Sequence, residues 1–225
     1  MSDRYVLHAS KEETEALFKV SADRDDYYES DYNITAGSLQ PIILHEDGER
    51  MIRKAQWGLI PSGAEDEREG KEHNTVAAEK VLEDDWYAEC VHRRRCLVPA
   101  NGFYKWKTSK KKSTPFYIRL LSNRLTAFAG IYSIWKSSSG RDVYSFAILS
   151  TKANALVEPV DNRMPVLLRT DNFEEWLSGT ELTETMHEDL LMKPYALTEM
   201  AVNRVSENVN DISNNGPELI QPIPK

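Results

Sequence analysis

The sequence predicts an α+β fold: a single domain over residues 1–225, in which a strongly curved, barrel-like sheet of antiparallel or mixed strands carries flanking helices. Three observations predict it. Hydrophobic alternation has period two along most of the chain, capping-box signals open short helices at separated points, and there is no internal repeat or low-complexity linker. Composition agrees, because 40% apolar and 28% charged residues in 225 is the balance of an ordinary globular domain.

Each element has a local cause. Ser10 and Glu13 in "SKEETEALFKV" stand in capping-box spacing, which predicts a helix over 11–20. "QPIILHEDGERMIRKAQWGLIP" reads as two strands around an Asp47-Gly48 turn. Residues 76–90 read as a helix whose middle is weakened by the acidic run "EDD". Four apolar or alternating runs follow, "RRCLVPANGFYKW", "PFYIRLL", "LTAFAGIYSIWKS" and "DVYSFAILSTKA", parted by the turn signals "KKKS", "SN" and "SSSG". Asp171 and Glu174 repeat the capping-box spacing in "DNFEEWLSG", and "TETMHEDLLM" reads as a further helix. The tail "NNGPELIQPIPK", with two late prolines, is expected to lie extended over the domain.

Several function classes are excluded at this level. No apolar run follows a basic start, and "TAFAGIYSIW" is too short to span a bilayer, so the chain reads as cytoplasmic, with no membrane partner. Cys90 and Cys96 are too few for a disulfide framework and read as buried or idle thiols. The five histidines show no ligand spacing, so neither a metal nor any other cofactor is expected. There is no phosphate-binding glycine loop, no GxSxG and no paired-histidine metal helix.

One stretch departs from the acidic average. "RRRCLVPANGFYKWKTSKKK", residues 93–112, holds eight Lys and Arg and no acid in a chain of net charge −8, so the other 205 residues carry −16. Positive potential is therefore local. Phe103, Tyr104 and Trp106 interleave with the cations, a combination that suits single-stranded nucleic acid; an equally ordinary reading is a strand edge kept soluble by lysines.

Blocks along the whole chain carry a resemblance. "RYVL" at 4–7, "YNITAG" at 32–37, "QWGLIPSGA" at 56–64, "RRRCLVPANGFYKW" at 93–106, "AFAGIY" at 127–132, "ILSTKAN" at 148–154, "NRMPVLL" at 162–168 and "NNGPELIQPI" at 214–223 resemble the SOS response-associated peptidase family. The resemblance implies binding of single-stranded DNA and capture of abasic sites as a covalent protein-DNA crosslink. It also implies removal of the N-terminal residue, from which the peptidase name comes. In typical members a cysteine after the initiator methionine supplies an α-amine that condenses with the aldehyde of the ring-opened sugar, and its thiol closes a thiazolidine. A glutamate in a "GFYEW"-like motif, a histidine before "RMP" and an asparagine opening "NARxE" complete that site.

Against this pattern most reactive positions differ. Ser2 stands for the cysteine and Asp3 for the following glycine; Lys105 stands for the glutamate and Asp161 for the histidine. Asn74 remains, with Val76 and Ala78 where the motif's arginine and glutamate would fall. Lys105 and Asp161 exchange the expected signs, and if they face each other a salt bridge would preserve the architecture while ending the family's proton traffic. Ser2, once Met1 is removed, would offer an α-amine of pKa roughly 8. That amine can form a Schiff base, but its hydroxyl closes only an oxazolidine, which is expected to hydrolyse. Lys105 would either tune that amine or attack with its own.

The resemblance also implies that Arg4, Trp57 and Arg163 face DNA, the arginines on phosphates and the tryptophan beside unstacked bases, and Arg94 and Trp106 of the basic stretch join them. Core packing for Trp57 and a structural ion pair for Arg163 are the alternatives. Two functions follow: a family member with weakened, reversible chemistry at Ser2, acting on single-stranded or abasic-site DNA, or a catalytically inactive DNA-binding or protein-interaction module. A monomer is the default.

Overall fold

The computed structural model describes residues 4–20, 28–46, 48–110 and 112–223. The chain opens with β1 (Arg4–Leu7), α1 (Lys11–Phe18) and β2 (Asp31–Ile34). A hairpin of β3 (Leu39–Glu46) and β4 (Glu49–Trp57) leads to the short β5 (Thr75–Ala77) and α2 (Asp85–Arg93). Five long strands come next: β6 (Arg95–Ala100), β7 (Gly102–Ser109), β8 (Lys112–Leu120), β9 (Thr126–Lys136) and β10 (Asp142–Lys152). The short elements β11 (Arg163–Pro165), β12 (Leu167–Leu168), α3 (Phe173–Leu177) and α4 (Glu184–Met186) precede β13 (Met200–Arg204).

Five of these strands close on themselves. β10 lies beside β4 in parallel, β4 beside β3, β3 beside β6, β6 beside β9, and β9 returns antiparallel to β10. The second sheet is open, in the order β13-β8-β7-β1-β2. The architecture is thus α+β, a barrel-like closed sheet packed on an open antiparallel one with few helices, and the mixed, curled sheet anticipated above is present.

Alternation explains how one set of strands serves two cores. Ile43, Leu97, Ala129 and Ala147 pack with Phe18, Val91, Phe173 and Trp176 of the helices. Their neighbours Ile42, Leu44, Cys96, Val98, Phe128 and Phe146 pack with Tyr5, Leu7, Phe103 and Ile118 of the open sheet. Each of these large side chains contributes about 1.5–3 kcal/mol by leaving water.

The signals that rested on local chemistry are visible in place. Ser10 and Glu13 form a reciprocal capping box on α1, which stops at Phe18, short of Val20, because Lys19 turns left-handed at φ 56°. The β3–β4 hairpin turns through Gly48 at φ +87°, with Asp47 outside the described residues.

Other readings need correction. No helix spans 76–90: Thr75–Ala77 pairs in parallel with β10, and the carboxylate of Asp84 accepts from the Trp86 and Tyr87 amides, so "EDD" starts α2 instead of weakening its middle. "RRCLVPANGFYKW" is two strands, parted at Asn101, whose carboxamide oxygen accepts from the His8 and Ala9 amides. Gly102 makes the break possible, since a Cβ there would lie 2.6 Å from the Ile118 carbonyl oxygen and from the Tyr117 ring. Asp171 caps nothing; Thr170–Asn172 is a 3-10 turn leading into α3, and Glu174 pairs with Arg50. The helix expected over 183–192 is present, as one α turn at Glu184–Met186 that runs on into a π turn over His187–Met192. The tail over 214–223 is not simply extended but forms a 3-10 turn at Pro217–Ile220.

Candidate functional site

The site begins with the alternation of β1 and β7, which pair Arg4 with Tyr104, Tyr5 with Phe103 and Val6 with Gly102. Tyr5 and Phe103 point between the two sheets, whereas Val6 and Tyr104 point outward, into a small core shared with Val205, Val209 and Leu219. By the same period of two, Lys105 shares the inner face with Phe103, and Trp106 shares the outer face with Arg4.

On the inner face Tyr5, Trp57, Phe103 and Phe128 line an aromatic pocket, with Thr75, Ser150 and Pro165 along one wall and Lys105 among its charged members. Lys105 Nζ lies 3.7 Å from Asp161 Oδ2, and the two side chains are 5% and 8% exposed. The other carboxylate oxygen of Asp161 accepts from the Arg163 amide at 2.9 Å, which fixes the loop ahead of β11. The ion pair proposed from motif position is therefore present, and it is buried.

Trp57 is buried at the end of β4, edge-on to Tyr5 at 5.1 Å. Its indole N–H donates to the Asn74 carbonyl at 2.8 Å, and that carbonyl also accepts from the Ile148 amide at 3.0 Å. Through its backbone, Asn74 thus ties β4 to β10 at the pocket wall.

Arg163 is committed to Glu79 at 2.7 Å and to both oxygens of Ser150. The Arg163 hydrogen bond holds the Glu79 carboxyl below its usual value. Sequence reasoning missed Glu79 and Ser150; Glu79 stands one position beyond Ala78, where the motif's glutamate was sought.

Arg4 lies in the lining of the same pocket and staples the C-terminal segment to β1. Its guanidinium donates to Asn33 Oδ1 at 3.0 Å, to the Asn210 carbonyl at 3.1 Å and to the Val209 carbonyl, and it lies over the Trp106 ring at 5.4 Å. Trp106 in turn donates to Asn210 Oδ1 at 2.8 Å. Burial lowers the Arg4 pKa, as expected of a cation taken from water.

The basic stretch does not form one patch, because its two halves enter different sheets. Arg95 is buried, donating to the Val91, Trp176 and Thr180 carbonyls. Arg94 is half-exposed at the end of α2, 3.4 Å from Glu89 and away from the pocket lining. Lys112 pairs with Glu207 at 2.7 Å, and Lys107 and Lys110 are exposed. Ser2 and Lys111 lie outside the described residues.

Among the described residues no cluster of three or more His, Cys, Asp or Glu is placed to hold a metal ion, and no helix is long and apolar enough to cross a membrane. Cys90 and Cys96 are unpaired and buried; burial pushes the Cys90 thiol up to about 11 and that of Cys96 well above its usual value.

Comparison with known proteins agrees with this geometry. The family described as "SOS response associated peptidase (SRAP)" matches residues 1–212. The abasic site processing protein YoqW of Bacillus subtilis (strain 168) is 35% identical, over 86% of this chain and 87% of its own. The abasic site processing protein HMCES of Xenopus tropicalis is 25% identical, over 88% of this chain and 68% of its own. A crystal structure of a protein from Bacteroides thetaiotaomicron has the same fold, with a TM-score of 0.85, 23% identity and coverage of 98% of this chain and 99% of that one.

Proposed function

The chain belongs to the SOS response associated peptidase family, and from that premise we propose that it processes abasic sites by binding single-stranded DNA and holding the sugar aldehyde in a reversible Schiff base at Ser2. The observation that carries the reading is an aromatic pocket beside the first residues of β1 that is lined by Lys105, whose amine is paired with the buried Asp161. Charge at the acid and base positions is exchanged while the pocket persists.

Single-stranded DNA is the partner that the pocket's position favours. Its walls lie between two sheets, so a base-free sugar reaches it only when flipped from a stack, and flipping costs least in an unpaired strand. Exposed Lys107 on β7 and Lys110 in the turn after it follow Lys105 and would meet phosphates.

The chemistry follows from an amine beside a hydroxyl. The Ser2 α-amine adds to C1′ of the open sugar, and the resulting carbinolamine loses water to give the imine. The Ser2 oxygen then adds to the imine carbon as its proton passes to nitrogen, closing an oxazolidine. Its C–O bond reopens more readily than the C–S bond of a thiazolidine, so the adduct is transient.

The test is incubation of mature protein with single-stranded DNA carrying one abasic site, with and without borohydride, followed by denaturing electrophoresis and peptide mass mapping. The expected result is a crosslink only after reduction, with adduct on the N-terminal peptide that disappears when the α-amine is blocked. Salt-sensitive DNA binding with no crosslink under either condition would instead identify a non-catalytic binding module.

A further inference from the structure

We propose that Lys105 is a second Schiff-base amine, able to engage an aldehyde independently of the chain's N-terminus, with Asp161 as its proton acceptor. The inference rests on the reading that abasic-site DNA reaches this pocket.

Three observations carry it. Lys105 shares the inner face of β7 with Phe103 and is counted among the residues lining the pocket. Its amine is 3.7 Å from a carboxylate that is almost fully removed from water. That carboxylate is held in place by the Arg163 amide on its other oxygen, so it stays beside the amine whichever of the two carries the proton. A lysine at an apolar wall with a fixed base is the arrangement that Schiff-base chemistry requires.

The step balances within the pair. Lys105 passes a proton to Asp161, and the neutral amine forms a bond to C1′ as the carbonyl π pair moves to oxygen. A proton passes from the new ammonium nitrogen to that oxygen to give the carbinolamine, Asp161 returns its own as the hydroxyl leaves as water, and a protonated imine remains opposite the carboxylate. Hydrolysis reverses each step, and borohydride fixes the imine as a secondary amine by hydride addition.

The aromatic walls define the ligand class. Tyr5, Phe103 and Phe128 give the amine apolar neighbours, and the other cation of the lining, Arg4, spends its guanidinium on Asn33 and the Val209 and Asn210 carbonyls, so a small, largely apolar aldehyde suits the space beside Lys105. Ring-opened abasic sugars fit this description, as do other small aldehydes.

The experiment uses full-length protein with a chemically blocked α-amine, abasic single-stranded DNA and borohydride, with the adduct mapped by tandem mass spectrometry. The expected result is a crosslink on the Lys105 peptide that persists after blocking and falls to background in Lys105→Arg, which keeps a cation opposite Asp161. Asp161→Asn is expected to slow trapping at neutral pH and to regain rate in alkaline buffer, where solvent takes the proton; a merely structural role would not shift the pH profile. Circular dichroism and thermal melts verify that both variants fold. Adduct confined to Ser2 and abolished by blocking would overturn this inference while leaving the proposed function standing. Adduct spread over exposed lysines and unchanged in Lys105→Arg would overturn it too. No adduct in blocked or unblocked protein would overturn both.

Discussion

Lys105 of β7, which lines a pocket with Tyr5, Trp57, Phe103 and Phe128, forms an ion pair at 3.7 Å with Asp161 of the loop before β11. Because both side chains are nearly dry, removing one leaves the other as an uncompensated buried charge. Lys105→Met or Asp161→Leu alone is expected to cost about 3 kcal/mol or more, whereas the double substitution recovers most of the loss. Urea denaturation of the four proteins measures the coupling, and additive losses would disprove it.

Arg4 joins β1 to the C-terminal segment through a planar fork that lysine cannot reproduce. Arg4→Lys is expected to destabilise by about 2 kcal/mol, from carbonyls left without donors. Limited proteolysis should then release fragments from residues beyond 205 at protease concentrations that leave the parent intact.

The acid limb of the stability curve should report Glu79. Its carboxyl titrates below the usual value in the folded protein, chiefly through the Arg163 hydrogen bond, so the unfolded chain binds this proton more readily. The contribution is fully present above the unfolded pKa of about 4.3 and is lost as pH falls through the lower folded value. In Glu79→Gln the dependence of stability on pH across that window is expected to be shallower, as measured by denaturation at a series of acidic pH values.

Thiol reagents should find little in the native protein. With the Cys90 thiol pushed up to about 11 by burial and that of Cys96 well above its usual value, almost no thiolate exists at pH 8. Both cysteines are expected to react with a disulfide reagent only after denaturation. Fast labelling of either one in the native state would show that its burial is transient.

What could be read in advance divides by range of interaction. The Ser10–Glu13 capping box and the Gly48 turn are chemistry between near neighbours, so they are written in a few letters. Val76 and Ala77 looked helical because their partner, β10, lies far along the chain and nothing local announces a parallel neighbour. The cationic stretch misled for a similar reason: Asn101 and Gly102 send Arg95 and Lys105 into separate sheets, a fact of topology that charge counting does not contain. Lys105 facing Asp161 was legible only because each falls at a motif position, and Glu79 escaped because it falls one residue away from one.

The closed ring also sets when the site comes into being. Its seam joins Trp57 to Phe146 in parallel, and the pocket takes walls from Tyr5 near the start of the chain to Pro165. Such distant contacts form late, once the loops between them have been closed. A chain emerging from the ribosome therefore carries Lys105 well before Phe128, Ile148, Ser150 and Pro165, which enclose it. Arrival of β10 is the switch: the walls of the pocket meet in one step, as the last stave locks the barrel.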